Sequence, residues 1–431
     1  MPETEEFLNE RQKELFVRKA SRVAGGYLKR LSEMHDTPKE MMPFFDILKE
    51  IYVDLQDIRS AKGQKTIGTY CVMVPPELIY AAGGIPVRLC SGNYTAYSIG
   101  DEAVPRDACP LVKAVMGFGH AQVSPLYKNC SLMVIPVTCD CKKKLAGMLG
   151  QIKPTISLHI PSSRDEDAEI EQYTEELYRL IPVLEKTTGN KIDGDTLSDA
   201  VWTVAAAQRE MSKFLRYIQH RPALLHGTQA LAVLNTFSYM PAQDWTRQMC
   251  LLNEELQKRL EQKRYVGKEK QPRILVTGSP IIFPNIKVPL LIEEMGGTLA
   301  GDETCMGERG LYNPVVVEDK SFRGMMRALA GRYIRPGTCP SFVDNSQRIY
   351  RIRQMIKERK VQGVIYHVLR GCLVYDYEYQ VFEEELSRLD IPIIRVESDY
   401  NEEDVEQLRI RIEAFIEMIK MKDYRKKKRS E

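Results

Sequence analysis

Two α/β domains, each a doubly wound parallel sheet, are the architecture this sequence predicts, with a helical segment ahead of them and a helical layer between them. Three observations predict it. β-rich runs alternate with helical runs in two separate blocks, residues 63–165 and 269–421, as parallel βαβ units require. The stretch between them, 166–268, lacks strand signals. Each block also carries a cysteine triplet in the same order and context: Cys90, Cys109 and Cys139 in the first, Cys305, Cys339 and Cys372 in the second.

The elements follow in order. Residues 1–62 are charged and amphipathic, and Phe44, Phe45, Ile47, Leu48, Ile51, Tyr52 and Leu55 recur at helical spacing, predicting a helical lead-in that packs on a later domain. Thr66–Val74 reads as a buried strand. Pro75-Pro76 opens a helix through Ala82, since a first-turn proline sacrifices no hydrogen bond. Gly84–Cys90, Ser131–Thr138 and Thr155–Ile160 read as strands. Helices over 169–184, 195–221 and 244–264 form the connecting layer, and the polar run Gln262–Pro272 reads as a surface linker. The second block opens with a strand from Arg273 to the turn Gly278-Ser279-Pro280. Helix 285–295, strand 297–303, helix 346–359, strand 363–369, helix 378–388, strand 392–396 and helix 402–420 come next. That succession has the outline of a flavodoxin-like domain. The basic end, 422–431, reads as a solvated, frayed tail rather than a nucleic-acid site.

A chain of 431 residues is too long for one ordinary core. Its net charge of +2 gives no overall field toward nucleic acid or membrane. The acidic start Met1–Glu6 has no apolar core, and no apolar run approaches the ~20 residues a spanning helix needs, so a cytoplasmic protein is expected. In a reducing compartment, ten cysteines point to metal, redox or buried thiols rather than disulfides.

The triplets match in context as well as in order. A helical stretch ending in Gly-Gly precedes Cys90 (Gly83-Gly84) and Cys305 (Gly296-Gly297). A Cys-Pro pair follows at Cys109-Pro110 and Cys339-Pro340, and a β-rich run then stops at Cys139 and Cys372. Ligands bind at the C-terminal ends of strands in doubly wound sheets. Cys109 and Cys339, each before a proline, are expected at helix starts, where the helix dipole lowers a thiol pKa. The six together read as metal ligands, and soft thiolates suit iron. Zinc would show a Cys-x-x-Cys knuckle, and Cys139-Asp-Cys141 has the wrong gap. Cys71, at the end of the first strand, is the first alternate ligand, and Cys141 could substitute for Cys139. Cys130 and Cys250 read as core residues.

Other groups stand near the cysteines. Glu303 and Arg309 flank Cys305 and are candidates for moving protons or anchoring an anion, against a loop ion pair. Arg106 is open to the same two readings. Tyr375 or Tyr377, after Cys372, could donate to a substrate or simply pack. Gly278-Ser279 could present backbone N–H groups to an anion. His367, inside an apolar strand, reads as a satisfied buried histidine. No Walker A or Gly-x-Gly-x-x-Gly motif occurs, so the chain shows no nucleotide site of its own.

Three runs together resemble the 2-hydroxyacyl-CoA dehydratase and benzoyl-CoA reductase superfamily: Cys71–Arg88, Thr138-Cys139-Asp140, and Ile391–Tyr400 with Arg409–Phe415. The resemblance covers roughly residues 65–420. It implies a [4Fe-4S] cluster on three cysteines, and Cys109, Cys139 and Cys372 match those positions. Cys90, Cys305 and Cys339 are additional, as in the double-cubane cluster branch. There the resemblance implies an [8Fe-9S] cluster, a homodimer, an anaerobic source and an ATP-hydrolysing iron–sulfur activator that delivers low-potential electrons. A small-molecule reductase, for substrates such as acetylene, is therefore the leading expectation. A [4Fe-4S] 2-hydroxyacyl-CoA dehydratase subunit is the alternative, and a non-catalytic electron carrier the third.

Overall fold

The computed structural model describes residues 8–58, 63–162, 165–335 and 339–430. Residues 1–7, Gly337 and Thr338 of the second Cys-Pro context, and Glu431 at the end of the basic tail lie outside the described residues. The chain opens with α1 (Glu10–Ser32) and α2 (Met42–Tyr52). Asn9 caps α1 through a reciprocal capping box with Gln12, which satisfies two orphan amides. The apolar face of this lead-in packs on later parts of the chain: Phe44 meets Trp245 edge to face, and Tyr27 donates to Glu402 at 2.5 Å.

The first α/β block comprises β1 (Thr66–Thr69), α3 (Pro76–Ala81), β2 (Ile85–Arg88), α4 (Tyr94–Gly100), α5 (Pro110–Ala121), α6 (Pro125–Lys128), β3 (Leu132–Val137), α7 (Asp140–Leu149) and β4 (Thr155–His159). Helices α8 (Glu166–Thr188), α9 (Gly194–Ile218), α10 (Gly227–Asn235) and α11 (Ala242–Glu261) form the connecting layer. The second block comprises β5 (Arg273–Gly278), α12 (Lys287–Glu294), β6 (Thr298–Glu303), α13 (Phe322–Ile334), α14 (Ser346–Arg359), β7 (Gly363–Leu369), α15 (Leu373–Arg388), β8 (Ile393–Ser398) and α16 (Val405–Ser430).

Both sheets are four-stranded and wholly parallel, and their orders are equivalent: β2-β1-β3-β4 and β6-β5-β7-β8. Each therefore has the second-first-third-fourth order of a flavodoxin-like sheet. Helices cover both faces, which is why β5, β6 and β7 are buried along their full lengths.

Several boundaries differ from the expectation. The first strand ends at Thr69, and Cys71–Val74 turn away instead of extending it. Helices α4, α10 and α13 lack a clear sequence signature, because their apolar residues are buried all round or interrupted by glycine. Helix α15 begins directly after Cys372, earlier than residue 378. Helix α16 runs through to Ser430, so the basic end continues a helix instead of fraying.

The two halves meet with their backbones in close approach. A Cβ on Gly92 would strike the Ile282 carbonyl, and one on Gly371 would lie 2.5 Å from the Asp107 carbonyl. Gly371 also has φ +75, a left-handed conformation that glycine adopts freely. These two seams flank Cys90 and Cys372, so absent side chains set how closely the two sets of strand ends can face each other.

Candidate metal centre

The thiols gather because equivalent strand ends point into one space. Cys71, Cys90, Cys139 and Cys305 each lie two residues past the ends of β1, β2, β3 and β6, and Cys372 lies in the turn after β7. Cys109, Cys139 and Cys372 are the N-cap residues of α5, α7 and α15. Together with Cys339, these side chains line one cavity between the two sheets. Seven of the ten cysteines thus share a wall, all six of the matched triplets plus Cys71. Each is a free thiol.

The remaining cysteines stand apart. Cys130 is buried between β1 and β3, accepting from the Gly68 amide at 3.0 Å and donating to the Leu132 carbonyl at 3.0 Å. Cys250 is only partly buried, on α11 near Glu254, so it is not a core residue. Its place on the helix flank, one residue past the buried Met249, turns it outward. Cys141 sits against the Cys109 backbone, outside the cavity lining.

Cys339 does not start a helix. It lies in a turn, and the next helix, α14, begins at Ser346. Nor does a helix start make Cys109 acidic. Burial pushes its pKa up to about 11, and the amides of Val112 and Leu111 only moderate that. Burial likewise pushes Cys90 up to about 12 and raises Cys305, Cys339 and Cys372. Cys71 is the exception. Burial raises it, but Lys142, the Met73 amide and Arg88 together outweigh that and hold it below the ordinary thiol value.

Lys142 and Arg88 are the charged cavity residues that sequence reading did not single out. Both line the cavity, and neither has a carboxylate partner among the described residues. Burial opposes charge on Lys142, yet Cys71, Cys339, Cys90 and Cys139 together raise its pKa. One signal was available: Lys142 lies three residues after Cys139, on the same face of α7.

The other candidates separate into wall, support and surface. Tyr375 lines the cavity, and its hydroxyl accepts from Arg309 Nη2 at 2.7 Å. Tyr377 is 75% exposed and points to solvent. Glu303 and Arg309 do not line the cavity and are not a solvated loop pair. They belong to a fully buried network behind Tyr375, in which Glu303 accepts from Thr277 at 2.6 Å and Arg348 at 3.0 Å and faces Arg309 at 3.7 Å. Arg106 is exposed, away from the cavity. The Ser279 amide is spent on the His367 carbonyl at 2.7 Å and residue 280 is proline, so this turn is no anion nest.

His367 is a satisfied buried histidine. Its Nδ1 contacts the Ser279 carbonyl at 3.2 Å and its Nε2 the Ser398 hydroxyl at 2.7 Å. Burial, with Lys287 nearby, pushes its pKa down to about 4. Above pH ~6.5 the ring is neutral in both folded and unfolded chains and contributes no slope. Below that the unfolded chain takes up a proton that the folded one refuses until about pH 4, so stability falls with pH, by about 3 kcal/mol across the interval. His367→Asn is expected to flatten this part of the urea-midpoint profile. An unchanged slope would show that the ring does not titrate this way.

Among the described residues, no three Cys, His, Asp or Glu side chains converge closely enough to hold a single metal ion. Seven thiols spread round one cavity, beside two cations that have no carboxylate partner among the described residues, suit a polynuclear body with several terminal thiolate positions. No helix among the described residues is long and apolar enough to cross a membrane.

The comparisons with known proteins agree with one another. The family model described as 2-hydroxyglutaryl-CoA dehydratase, D-component matches residues 71–419. The chain is 31% identical over 394 residues to "Putative dehydratase subunit YjiM" of Escherichia coli (strain K12), covering 90% of this chain and 100% of that protein. It is 26% identical over 393 residues to the (R)-phenyllactyl-CoA dehydratase beta subunit of Clostridium sporogenes, covering 90% and 100%. It is 21% identical over 362 residues to a benzoyl-CoA reductase subunit of Thauera aromatica, covering 83% and 92%.

Proposed function

The chain belongs to the 2-hydroxyglutaryl-CoA dehydratase D-component family, and from that premise we propose that it is an iron–sulfur reductase component holding an [8Fe-9S] double cubane among the thiols of the central cavity. It is a component of a dehydratase- or reductase-type enzyme. The supporting observation is that two topologically equivalent sheets contribute Cys90, Cys109 and Cys139, and Cys305, Cys339 and Cys372, to one cavity. When bound, such a cluster supplies low-potential one-electron transfer to a small molecule.

The chain's own residues do the rest. The six thiolates hold the inorganic body, with Cys71 as the reserve. Helix starts turn amides toward them: those of Val112 and Leu111 toward Cys109, and that of Tyr375 toward Cys372. Lys142 and Arg88 offset thiolate charge. Val112, Ile282 and Leu369 keep that wall apolar and exclude water. The Tyr375 hydroxyl, fixed by Arg309, is placed to orient a substrate. The sequence contains no nucleotide motif, so ATP-coupled electrons come from a separate activator, and the working form is a homodimer.

The relatives' printed names favour a second reading, a 2-hydroxyacyl-CoA dehydratase subunit with a [4Fe-4S] cluster. Iron and sulfide analysis of protein purified without oxygen separates the two. About eight irons per chain is the expected result, about four would move the assignment to the dehydratase, and none would sink both.

A further inference from the structure

A second chamber abuts the thiol cavity. Val72, Arg88, Cys305 and Met306 border both spaces and form the partition between them. Beyond that partition Val204 of α9, Leu234 of α10, Phe237 and Leu311 give the chamber an apolar side, and Thr69, Tyr80, Ser238 and Tyr333 add neutral polar groups. Among the described residues lining the chamber, Arg88 is the one charged side chain.

Arg88 is poorly satisfied where it stands. Its Nη1 reaches the Cys305 carbonyl at 3.3 Å and the Met306 sulfur at 3.5 Å, and its buried Nε has no hydrogen-bond partner. Buried arginines of the second block are better served: Arg309, Arg348 and Arg359 each face a glutamate, Glu303, Glu303 with Glu378, and Glu308 respectively, and Arg273 donates to four backbone carbonyls. A guanidinium fork with an unfilled donor in the wall of a chamber that has an apolar side is matched best by a planar anion that accepts two parallel hydrogen bonds and carries an apolar remainder.

We propose that this chamber binds a short-chain monocarboxylate, its carboxylate on Arg88 and its alkyl end among Val204, Leu234, Phe237 and Leu311. The bound acid then has its carboxyl end against the partition shared with Cys305, next to the thiol cavity. The inference rests on the proposed function for its catalytic meaning, because it names the substrate class and where that substrate waits. The binding itself is measured separately.

The test uses full-length protein purified without oxygen, with iron counted in the same preparation. Binding of butyrate and of its neutral isostere butyramide is measured by calorimetry. Butyrate is expected to bind about ten-fold or more tightly than butyramide. Arg88→Gln is expected to erase that preference. Leu234→Phe, which fills the chamber away from the cysteines, is expected to weaken butyrate while the iron count stays at the wild-type value. Equal affinity for acid and amide in iron-replete protein would overturn the inference, as would butyrate binding that Leu234→Phe leaves intact. If Arg88→Gln also loses iron, the Leu234→Phe result alone decides. A preparation that holds no iron yet still prefers butyrate would sink the reductase reading and leave this one standing.

Discussion

Replacing Arg348 by methionine is expected to destabilise the fold by about 3–5 kcal/mol, because it leaves buried carboxylates without their counter-charge. Arg348 is 0% exposed. Its Nη2 donates to Glu303 at 3.0 Å and to Thr277 at 2.9 Å, and its Nη1 pairs with Glu378, which also accepts from Tyr366. Burial would raise the Glu303 carboxyl, and Arg309 and Arg348, helped by the Thr277 hydroxyl, hold it below the ordinary range. With Arg348 gone, Glu303 keeps one cation at 3.7 Å and Glu378 keeps only a phenol. Urea denaturation measures the loss. Adding Glu303→Gln and Glu378→Gln to the methionine variant is expected to recover part of it, since removing a whole ionic cluster is cheaper than breaking it. A loss below about 1 kcal/mol for the single variant would mean that water reaches this network.

The second large effect is on metal content. Cys372→Ser is expected to leave about half or less of the wild-type iron, because a hydroxyl is a poor terminal ligand for soft iron. Cys109→Ser and Cys139→Ser should behave alike. Cys250→Ser on the flank of α11 and Cys130→Ser in the core of the first sheet should retain full iron. Cys71 and Cys90 line the same cavity, so their two serine variants rank the reserve against the ligand: Cys90→Ser is expected to lose iron and Cys71→Ser to keep it. The reverse order would reassign the ligand. Full iron in all the cavity variants would remove the thiols from the site.

Much of the architecture was legible because parallel strands covered on both faces read as apolar runs. Gly363–Leu369 is the same strand in sequence and in structure. The repeated order of cysteines was legible because equivalent loops of equivalent sheets carry them. What the sequence hid was depth. Glu303 and Arg309 were open to a loop ion pair, but β6 carries Glu303 into the interior, where it meets Arg309 and, from a distant segment, Arg348. The pairing of Glu303 with Arg348 spans 45 residues, beyond any local periodicity. Tyr375 and Tyr377 were indistinguishable until α15 was found to begin at Leu373, which sets one ring inward and the other outward. Lys142 was overlooked because lysine in a first helical turn usually faces water.

The order in which the thiols occur along the chain has a consequence for biosynthesis. A nascent polypeptide that has emerged only through α11 carries Cys71, Cys90, Cys109 and Cys139, with the opposing sheet not yet made. Those sulfurs then sit in an open bowl, exposed to oxidants and to adventitious metals. Closure waits for the last contributor, Cys372, so the shared thiol cavity is complete only once both bowls have met at their glycine seams.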